Sequence, residues 1–144
     1  MDTRILNANN LPDPEDPSNR ASQPQESEAP VRSPNTVLMI FAENPKALQF
    51  ELETHVTIGR RSDKGEQPEV DVAPYGGFPA GVSRLHVRLY RNDQGVFIED
   101  LESRNGTYLD GERLPPNQII RVRNGQSIRM GGLHGWIYFE GLKS

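Results

Sequence analysis

The chain contains no cysteine, which excludes disulfide bridges, thiolate metal ligands and cysteine nucleophiles. Aromatic residues are sparse, at 7% of the chain. No apolar run approaches the roughly 18 residues that a membrane-spanning helix requires, and the first residues lack the apolar stretch of a signal peptide. A length of 144 residues allows one domain and a tail. We therefore expect a cytoplasmic protein that does not bind membranes.

Charge is distributed unevenly along the chain. Residues 1–35 carry six acidic groups and three arginines, a net charge of −3, whereas the remaining 109 residues carry 14 acidic and 13 basic groups. Proteins that bind nucleic acid must neutralise many phosphates together, and they do so with a stripe of lysine and arginine that is lacking here. The composition predicts no nucleic-acid partner, and a near-neutral domain suits the binding of one anion at one site.

The first 35 residues differ in composition from the rest. Prolines recur there among Asp, Glu, Ser, Asn and Gln, at Pro12, Pro14, Pro17, Pro24 and Pro30. A segment with so few large apolar side chains cannot bury enough surface to offset the loss of chain entropy on folding. We predict a disordered tail at 1–35, followed by a folded domain at 36–142.

The domain reads as short strands separated by turns. Residues 37–41 form an apolar run of strand length that ends at Asn44-Pro45, and further strands are predicted at 46–52, 55–58, 87–90, 96–98, 120–122, 128–130 and 136–139. Asp110-Gly111 and Asn124-Gly125 predict two-residue hairpin turns, the second joining the strand at 120–122 to that at 128–130. No helical apolar stripe persists. The pattern predicts an all-β fold, an antiparallel β-sandwich of about eleven short strands.

Three short segments carry the chemistry, each where a predicted strand gives way to a loop. They are Gly59-Arg60, Ser83-Arg84-Leu85-His86 and Ser103-Arg104-Asn105-Gly106-Thr107. Guanidinium groups offer a planar fork of N–H donors that matches phosphate oxygens, and serine and backbone N–H groups add neutral donors. None of the segments pairs a nucleophile with a base. If the loops meet at one end of the sandwich, they form a phosphate-binding cup, and we expect no catalytic residue and no enzyme activity.

The order and spacing of these motifs closely resemble the forkhead-associated (FHA) domain family, whose members bind phosphothreonine peptides. About 23 residues separate the first motif from the second and about 20 separate the second from the third. The resemblance covers roughly residues 36–142. It implies that Ser83 and Arg84 contact the phosphate, Ser83 through both its hydroxyl and its N–H group, and that Arg60 contacts either the peptide backbone or the phosphate. It also implies that Asn105 hydrogen-bonds the peptide main chain. We expect Arg60 to hold the phosphate together with Ser83 and Arg84.

Other residues are given supporting roles. Arg104 lies where the family varies, and a third arginine there would strengthen phosphate binding or reach an acidic ligand side chain. The resemblance assigns Gly59, His86, Gly106 and Thr107 to structural support of the binding loops. His86 is not predicted to be a metal ligand, because the other two histidines are isolated in the sequence. We expect no metal and no cofactor.

Gly131-Gly132-Leu133-His134-Gly135 resembles a phosphate-binding loop only in its glycine content. It lacks the Lys-Ser/Thr pair and the following helix that such a loop requires, so we interpret it as a strand-connecting bulge.

The expected function is phosphothreonine-dependent protein recognition in protein-kinase signalling, by a monomer. The expected partner is a phosphothreonine-containing protein, either a kinase substrate or an autophosphorylated kinase. The chain's own tail, if phosphorylated at Thr3, is a further candidate. The alternative is a scaffold that uses the same sandwich to bind a folded partner without phosphate, in which case Arg60 and Ser83 would be dispensable.

Overall fold

The computed structural model describes residues 33–140, which form two β-sheets packed face to face. The larger sheet has the strand order β2-β1-β11-β10-β7-β8 and the smaller one has the order β4-β3-β5-β6-β9. The strands are β1 Thr36–Phe41, β2 Asn44–Glu51, β3 His55–Gly59, β4 Val70–Asp71, β5 Val87–Asn92, β6 Gly95–Asp100, β7 Thr107–Leu109, β8 Glu112–Arg113, β9 Ile119–Val122, β10 Gln126–Met130 and β11 Leu133–Phe139. The prediction of an all-β sandwich of about eleven strands is confirmed.

Helix is almost lacking in this part of the chain. A single 3-10 turn, Ala73–Tyr75, precedes β5, and no helix among residues 33–140 is long and apolar enough to cross a membrane. The predicted tail spans residues 1–35. Its first 32 residues, Thr3 among them, lie outside the part of the chain that the structure describes. Ser33 is described, and its hydroxyl donates to the Glu51 carboxylate at the end of β2.

The core lies between the sheets and follows the two-residue period of the strands. Val37, Met39 and Phe41 of β1 point inward, as do Leu89 of β5 and Ile98 of β6. Alternate side chains therefore face a shared apolar layer, and burial of each such side chain stabilises the fold by about 1.5–3 kcal/mol. Strands that alternate in this way resist register slips, because a shift by one residue would expose the apolar set.

The Asp110-Gly111 hairpin is confirmed. Tyr108 pairs with Arg113 and Leu109 with Glu112, and both turn residues have the positive φ that the tightest hairpins require, 50° for Asp110 and 84° for Gly111.

The hairpin predicted at Asn124-Gly125 is wrong. Strand β9 pairs with β6 in the smaller sheet, whereas β10 pairs with β11 and β7 in the larger one. Gly125 has a φ of 85°, but Asn124 does not adopt positive φ, and its side chain instead accepts a hydrogen bond from the Phe139 amide at 2.8 Å. The turn carries the chain across the core, so that Val122 and Ile128 approach it from opposite sheets.

Three further details differ from the sequence prediction. Pro45 lies inside β2 rather than ending β1, which is tolerated because β2 is an edge strand that pairs with β1 alone. The sandwich is antiparallel except for β3 and β4, which pair in parallel. Gly131-Gly132 is a two-residue hairpin turn between paired Met130 and Leu133, not a bulge, and the rest of that segment already belongs to β11.

The register of the strands brings the three motif-bearing loops together. Ile58 near the end of β3 pairs with Val87 at the start of β5, and Val87 pairs in turn with Asp100 at the end of β6. The loops that follow β3, precede β5 and follow β6 therefore leave the smaller sheet at the same end.

Candidate functional site

An open depression of about 750 Å³ lies where these loops meet. All five residues predicted to bind the phosphopeptide line it, namely Arg60, Ser83, Arg84, Arg104 and Asn105. Gly65, Glu66, Phe78, Gly81, Val82, Leu85 and Leu101 complete the lining. The depression is rich in hydrogen-bond donors and holds a single carboxylate, that of Glu66.

Gly59 and Arg60 fasten the end of β3 to the second loop. The Arg60 amide donates to the carbonyls of Ser83 and Arg84, at 3.1 and 3.2 Å. This approach is so close that a Cβ atom on Gly59 would lie 1.9 Å from the Arg84 carbonyl oxygen. Glycine is therefore required at position 59 by the neighbouring backbone.

The Arg60 side chain is held on two sides. Its Nε donates to the Val82 carbonyl at 2.9 Å, and its guanidinium carbon lies 5.0 Å from the centroid of the Phe78 ring. These contacts use Nε and one face of the guanidinium, and the terminal nitrogens have no hydrogen-bond partner among the described residues. An arginine fixed in this way loses little side-chain entropy when an anion binds.

Ser83 has two groups that were predicted to donate to a phosphate, its N–H group and its hydroxyl. Its N–H group donates to Nδ1 of His86 at 3.0 Å, so it is not directed to a ligand, and that part of the prediction is wrong. Its Oγ accepts a hydrogen bond from the Arg104 amide at 3.0 Å. The hydroxyl hydrogen has no acceptor among the described residues, and the hydroxyl lines the depression. The sequence could not show that His86 would reach back to the Ser83 amide.

His86 links the second and third loops from inside the protein. It is fully buried, and its Nε2 lies 3.0 Å from the Gly106 carbonyl while its Nδ1 accepts from Ser83. This pattern fixes a neutral imidazole with the proton on Nε2. Burial lowers the pKa of His86 below its usual value of 6.5, and the Gly106 carbonyl and the Asp100 charge oppose that effect.

The free energy of unfolding should therefore fall as the pH drops below about 6.5. In that range the unfolded chain takes up a proton on His86 that the folded chain does not bind, so acid favours the unfolded state. Urea denaturation at pH 7.5 and 5.5 measures this loss. A His86→Asn variant should be less stable at pH 7.5 and should show a smaller difference between the two pH values.

The matched control is His55→Asn, because His55 is an exposed histidine on β3. This variant should keep the stability of the parent at pH 7.5. If His86→Asn retained the full pH response of the parent chain, the buried neutral histidine would not be its source.

Arg84 and Arg104 are exposed at the rim of the depression. Nη1 of Arg84 donates to the Lys64 carbonyl at 2.9 Å, so the loop after β3 orients this guanidinium. Arg104 is anchored through its backbone, which donates to Ser83 Oγ. Neither guanidinium pairs with a carboxylate among residues 33–140. Both charges are thus available to an anion in the depression.

The third loop presents Asn105 at the depression. Its Nδ2 donates to the Gly81 carbonyl at 2.9 Å, and a Cβ atom on Gly81, whose φ is 79°, would lie 2.5 Å from that nitrogen. The amide oxygen and the second N–H hydrogen have no partner among the described residues. Gly106 has a φ of 87°, and its carbonyl accepts from the Gly131 amide as well as from His86.

Two residues of the site were missed by the sequence reasoning. Asp100, which is buried, accepts hydrogen bonds from the hydroxyls of Ser103 and Thr107 and from the Ser103 amide. The Asp-x-x-Ser spacing, which is typical of a side chain that caps the following turn, could have revealed it. Phe78 packs on Arg60 although 69% of its surface is exposed, and no local pattern predicts that contact.

The β-sandwich therefore carries, at one loop end, a donor-lined depression whose chemistry suits an anionic group. The family model for the FHA domain matches residues 56–131. The chain therefore belongs to the FHA domain family. The matched segment begins in β3 and ends after β10, so it contains all three motif loops.

Curated relatives share this domain only. The chain is 39% identical over 85 residues to the E3 ubiquitin-protein ligase RNF8 of Mus musculus and 36% identical over 76 residues to protein FraH of a Nostoc species. These matches cover 58% and 53% of this chain, but only 16% and 26% of the two relatives.

Solved structures share the fold. One, from a structural and functional study of phosphothreonine-dependent FHA domain interactions, has a TM-score of 0.57 at 23% identity and covers 74% of this chain and 99% of that one. Another is the N-terminal FHA domain of S. cerevisiae Rad53p in complex with a phosphothreonine peptide. It has a TM-score of 0.57 at 18% identity and covers 72% of this chain and 93% of that one. At these identities the likeness establishes the architecture.

Proposed function

We propose that this domain binds phosphothreonine-containing segments of other proteins. The observation that carries the proposal is the convergence of Arg60, Ser83, Arg84 and Asn105 on one depression. The terminal nitrogens of Arg60 and the hydroxyl hydrogen of Ser83 have no acceptor among the described residues. Two solved structures of the same fold were determined for phosphothreonine-dependent interactions. No catalytic role is assigned to any residue.

Each group has a distinct task in this proposal. The guanidinium groups of Arg60 and Arg84 bind phosphate oxygens, the Ser83 hydroxyl donates a third hydrogen bond, and Arg104 adds positive charge at the rim. Asn105 uses its amide oxygen and remaining N–H hydrogen on the peptide main chain, which fixes the direction of the ligand. Each hydrogen bond with a charged partner contributes about 1.5–3 kcal/mol. After the cost of ordering a peptide, the expected affinity is roughly micromolar.

The proposal extends to the organisation of the protein. We assign recognition to residues 36–142 and expect the domain to act as a cytoplasmic monomer. The partner is a kinase substrate or an autophosphorylated kinase. Thr36 is not a candidate for phosphorylation in the folded domain, because it is buried and its hydroxyl donates to Glu51 at 2.8 Å.

The test is a titration of the full chain with a random peptide library that carries a fixed phosphothreonine, against the same library after dephosphorylation. Only the phosphorylated library should bind. Arg60→Ala and Ser83→Ala should each lower the affinity at least tenfold, since each removes at least one hydrogen bond with the dianion.

Arg61→Ala is the matched control, because it changes the net charge by the same amount one residue further on. Arg61 does not line the depression, and it interacts with Asp71 and the Pro68 carbonyl. It should keep the affinity of the parent chain. Equal binding of both libraries, or full affinity in both site variants, would reject phosphate recognition and favour the phosphate-independent scaffold.

A further inference from the structure

The outer face of the larger sheet is unusually apolar and aromatic for a surface in contact with water. On β1, Leu38 and Ile40 point outward, and the register pairs them with Tyr138 and Trp136 of β11. Ile40 is 41% exposed and Tyr138 is 37% exposed. Because directly paired residues on one face of a sheet touch, these four side chains form a continuous patch.

A cationic row continues this patch toward the other edge of the sheet. Tyr108 of β7 is paired with Arg129 on one side and with Arg113 on the other. The guanidinium carbon of Arg129 lies 3.9 Å from the Tyr108 ring centroid, and that of Arg113 lies 5.9 Å away. His134 pairs with Arg129, and its ring centroid is 4.9 Å from that of Trp136. The apolar patch and the cationic row are therefore contiguous.

Between β1 and β8, the outward side chains of this face are Leu38, Ile40, Tyr108, Arg113, Ser127, Arg129, His134, Trp136 and Tyr138, none of which is a carboxylate. The carboxylate that borders them is that of Asp110 in the β7–β8 turn, and it already accepts from the Ser127 amide and pairs with Arg123. Neither arginine makes an ion pair with a described carboxylate. Glu51, at the far edge, already accepts hydrogen bonds from Ser33 and Thr36. In a chain whose net charge is −4, this face is a local region of positive charge.

We propose that this outer face is a second docking surface, which binds an acidic protein segment bearing apolar side chains, without phosphate. Tryptophan, tyrosine and arginine are the residues that dominate the binding energy of protein interfaces. The guanidinium group of arginine is weakly hydrated, and stacking on an aromatic ring restricts its motion. Such an arginine therefore loses little hydration energy and little side-chain entropy when a carboxylate binds to it. An acidic segment supplies the carboxylates with which Arg113 and Arg129 can form ion pairs.

This surface is separate from the proposed phosphopeptide site. None of its nine side chains lines the depression between the loops. Two arginines and a histidine are too few to hold a nucleic-acid backbone, whose binding requires many neutralised phosphates, and half of the face is apolar. A protein segment can contact both the apolar patch and the arginines of this face.

The chain supplies its own reporter, because Trp136 is its only tryptophan. Unphosphorylated random 12-residue peptides displayed on phage are selected against the full chain, and the enriched sequences are synthesised. They should be rich in Asp and Glu beside Leu, Phe or Tyr. Titration should shift the emission of Trp136, and the affinity should fall as salt rises, since the ion pairs are exposed. Inorganic phosphate, used alone, should leave the emission unchanged.

Paired variants locate the binding. Ile40→Ser combined with Arg129→Gln should weaken the selected peptides at least tenfold. Ile119→Ser combined with Arg121→Gln makes the same changes on β9 of the other sheet, where Ile119 is 57% exposed and Arg121 stacks on a Phe97 ring at 5.0 Å. That control should bind as the parent does. Ser83→Ala should also bind unchanged, which separates this surface from the phosphate site.

Several outcomes would overturn the proposal. It fails if selection enriches no peptides, if the enriched peptides bind the Ile40/Arg129 variant as well as the control, or if they leave Trp136 emission unchanged. It also fails if a single-stranded oligonucleotide or an anionic vesicle shifts the emission and the selected peptides do not. Loss of peptide binding in Ser83→Ala would place these peptides in the loop depression instead. A melting temperature close to that of the parent chain verifies that each variant is folded, as expected for substitutions on the outside of a sheet.

Discussion

Replacing Gly59 with alanine is expected to destabilise the domain by about 3 kcal/mol or more and to remove phosphopeptide binding. The added Cβ would lie 1.9 Å from the Arg84 carbonyl oxygen and 2.8 Å from that of Ser83. Backbone atoms cannot rotate away as a side chain does, so β3 and the second loop would have to separate. That movement breaks both hydrogen bonds of the Arg60 amide and displaces Arg60 from the depression.

Urea denaturation and a phosphothreonine-library titration measure the two effects of this substitution. Gly111→Ala is the matched control. Gly111 has a φ of 84°, but a Cβ atom there meets nothing within 4 Å, so the cost is only that of a left-handed backbone, about 1 kcal/mol. The control should retain full affinity. If the two variants lost equal stability, the close approach of the loops would not be what requires glycine at position 59.

The fold was largely predictable because the signal for a β-sandwich is local. Strands β3, β5 and β6 carry the two-residue alternation, β1 is a continuous apolar run of strand length, and the turns carry Gly, Asn and Asp. The partner of each strand is not local. Asn124-Gly125 has the composition of a hairpin turn, but the strands on its two sides join different sheets. Val122 of β9 pairs with β6, whereas Ile128 of β10 pairs with β7. Tertiary packing decides which sheet a strand joins, and a turn dipeptide does not encode that choice.

The site was predictable in its residues and less so in its hydrogen bonds. The resemblance named five lining residues, and all five line one depression. It did not reveal that the Ser83 amide is used by His86, because that contact depends on where a buried ring comes to lie. Phe78 was invisible for a similar reason, since its contact with Arg60 joins residues 18 positions apart. The sequence shows which side chains can donate hydrogen bonds, but only the fold shows which acceptor each donor reaches.

Asp100 offers the second large effect, although it does not line the depression. The Asp100→Ala variant should lose about 3 kcal/mol or more of stability, because it leaves the buried hydroxyls of Ser103 and Thr107 and the Ser103 amide without their acceptor. The Ser103 hydroxyl also accepts from the Gly106 amide, so the whole turn depends on this carboxylate. Phosphopeptide affinity, measured at a temperature where the variant is folded, should fall roughly tenfold through loosening of Arg104 and Asn105.

Two further variants show how much of the stability loss comes from the hydrogen bonds of the Asp100 carboxylate and how much from replacing any aspartate by alanine. In Asp100→Asn the amide oxygen still accepts from both hydroxyls, but the amide nitrogen opposes the Ser103 N–H group, so its stability should lie between that of the parent and that of Asp100→Ala. Asp110→Ala should cost about 1–2 kcal/mol, because alanine is strained at the φ of 50° found there, whereas the ion pair with Arg123 and the hydrogen bonds from Gln126 and Ser127 are exposed to solvent and contribute little. Chemical denaturation of all three gives the expected order directly. An Asp100→Ala variant as stable as Asp110→Ala would mean that this buried carboxylate does not hold the third loop in place.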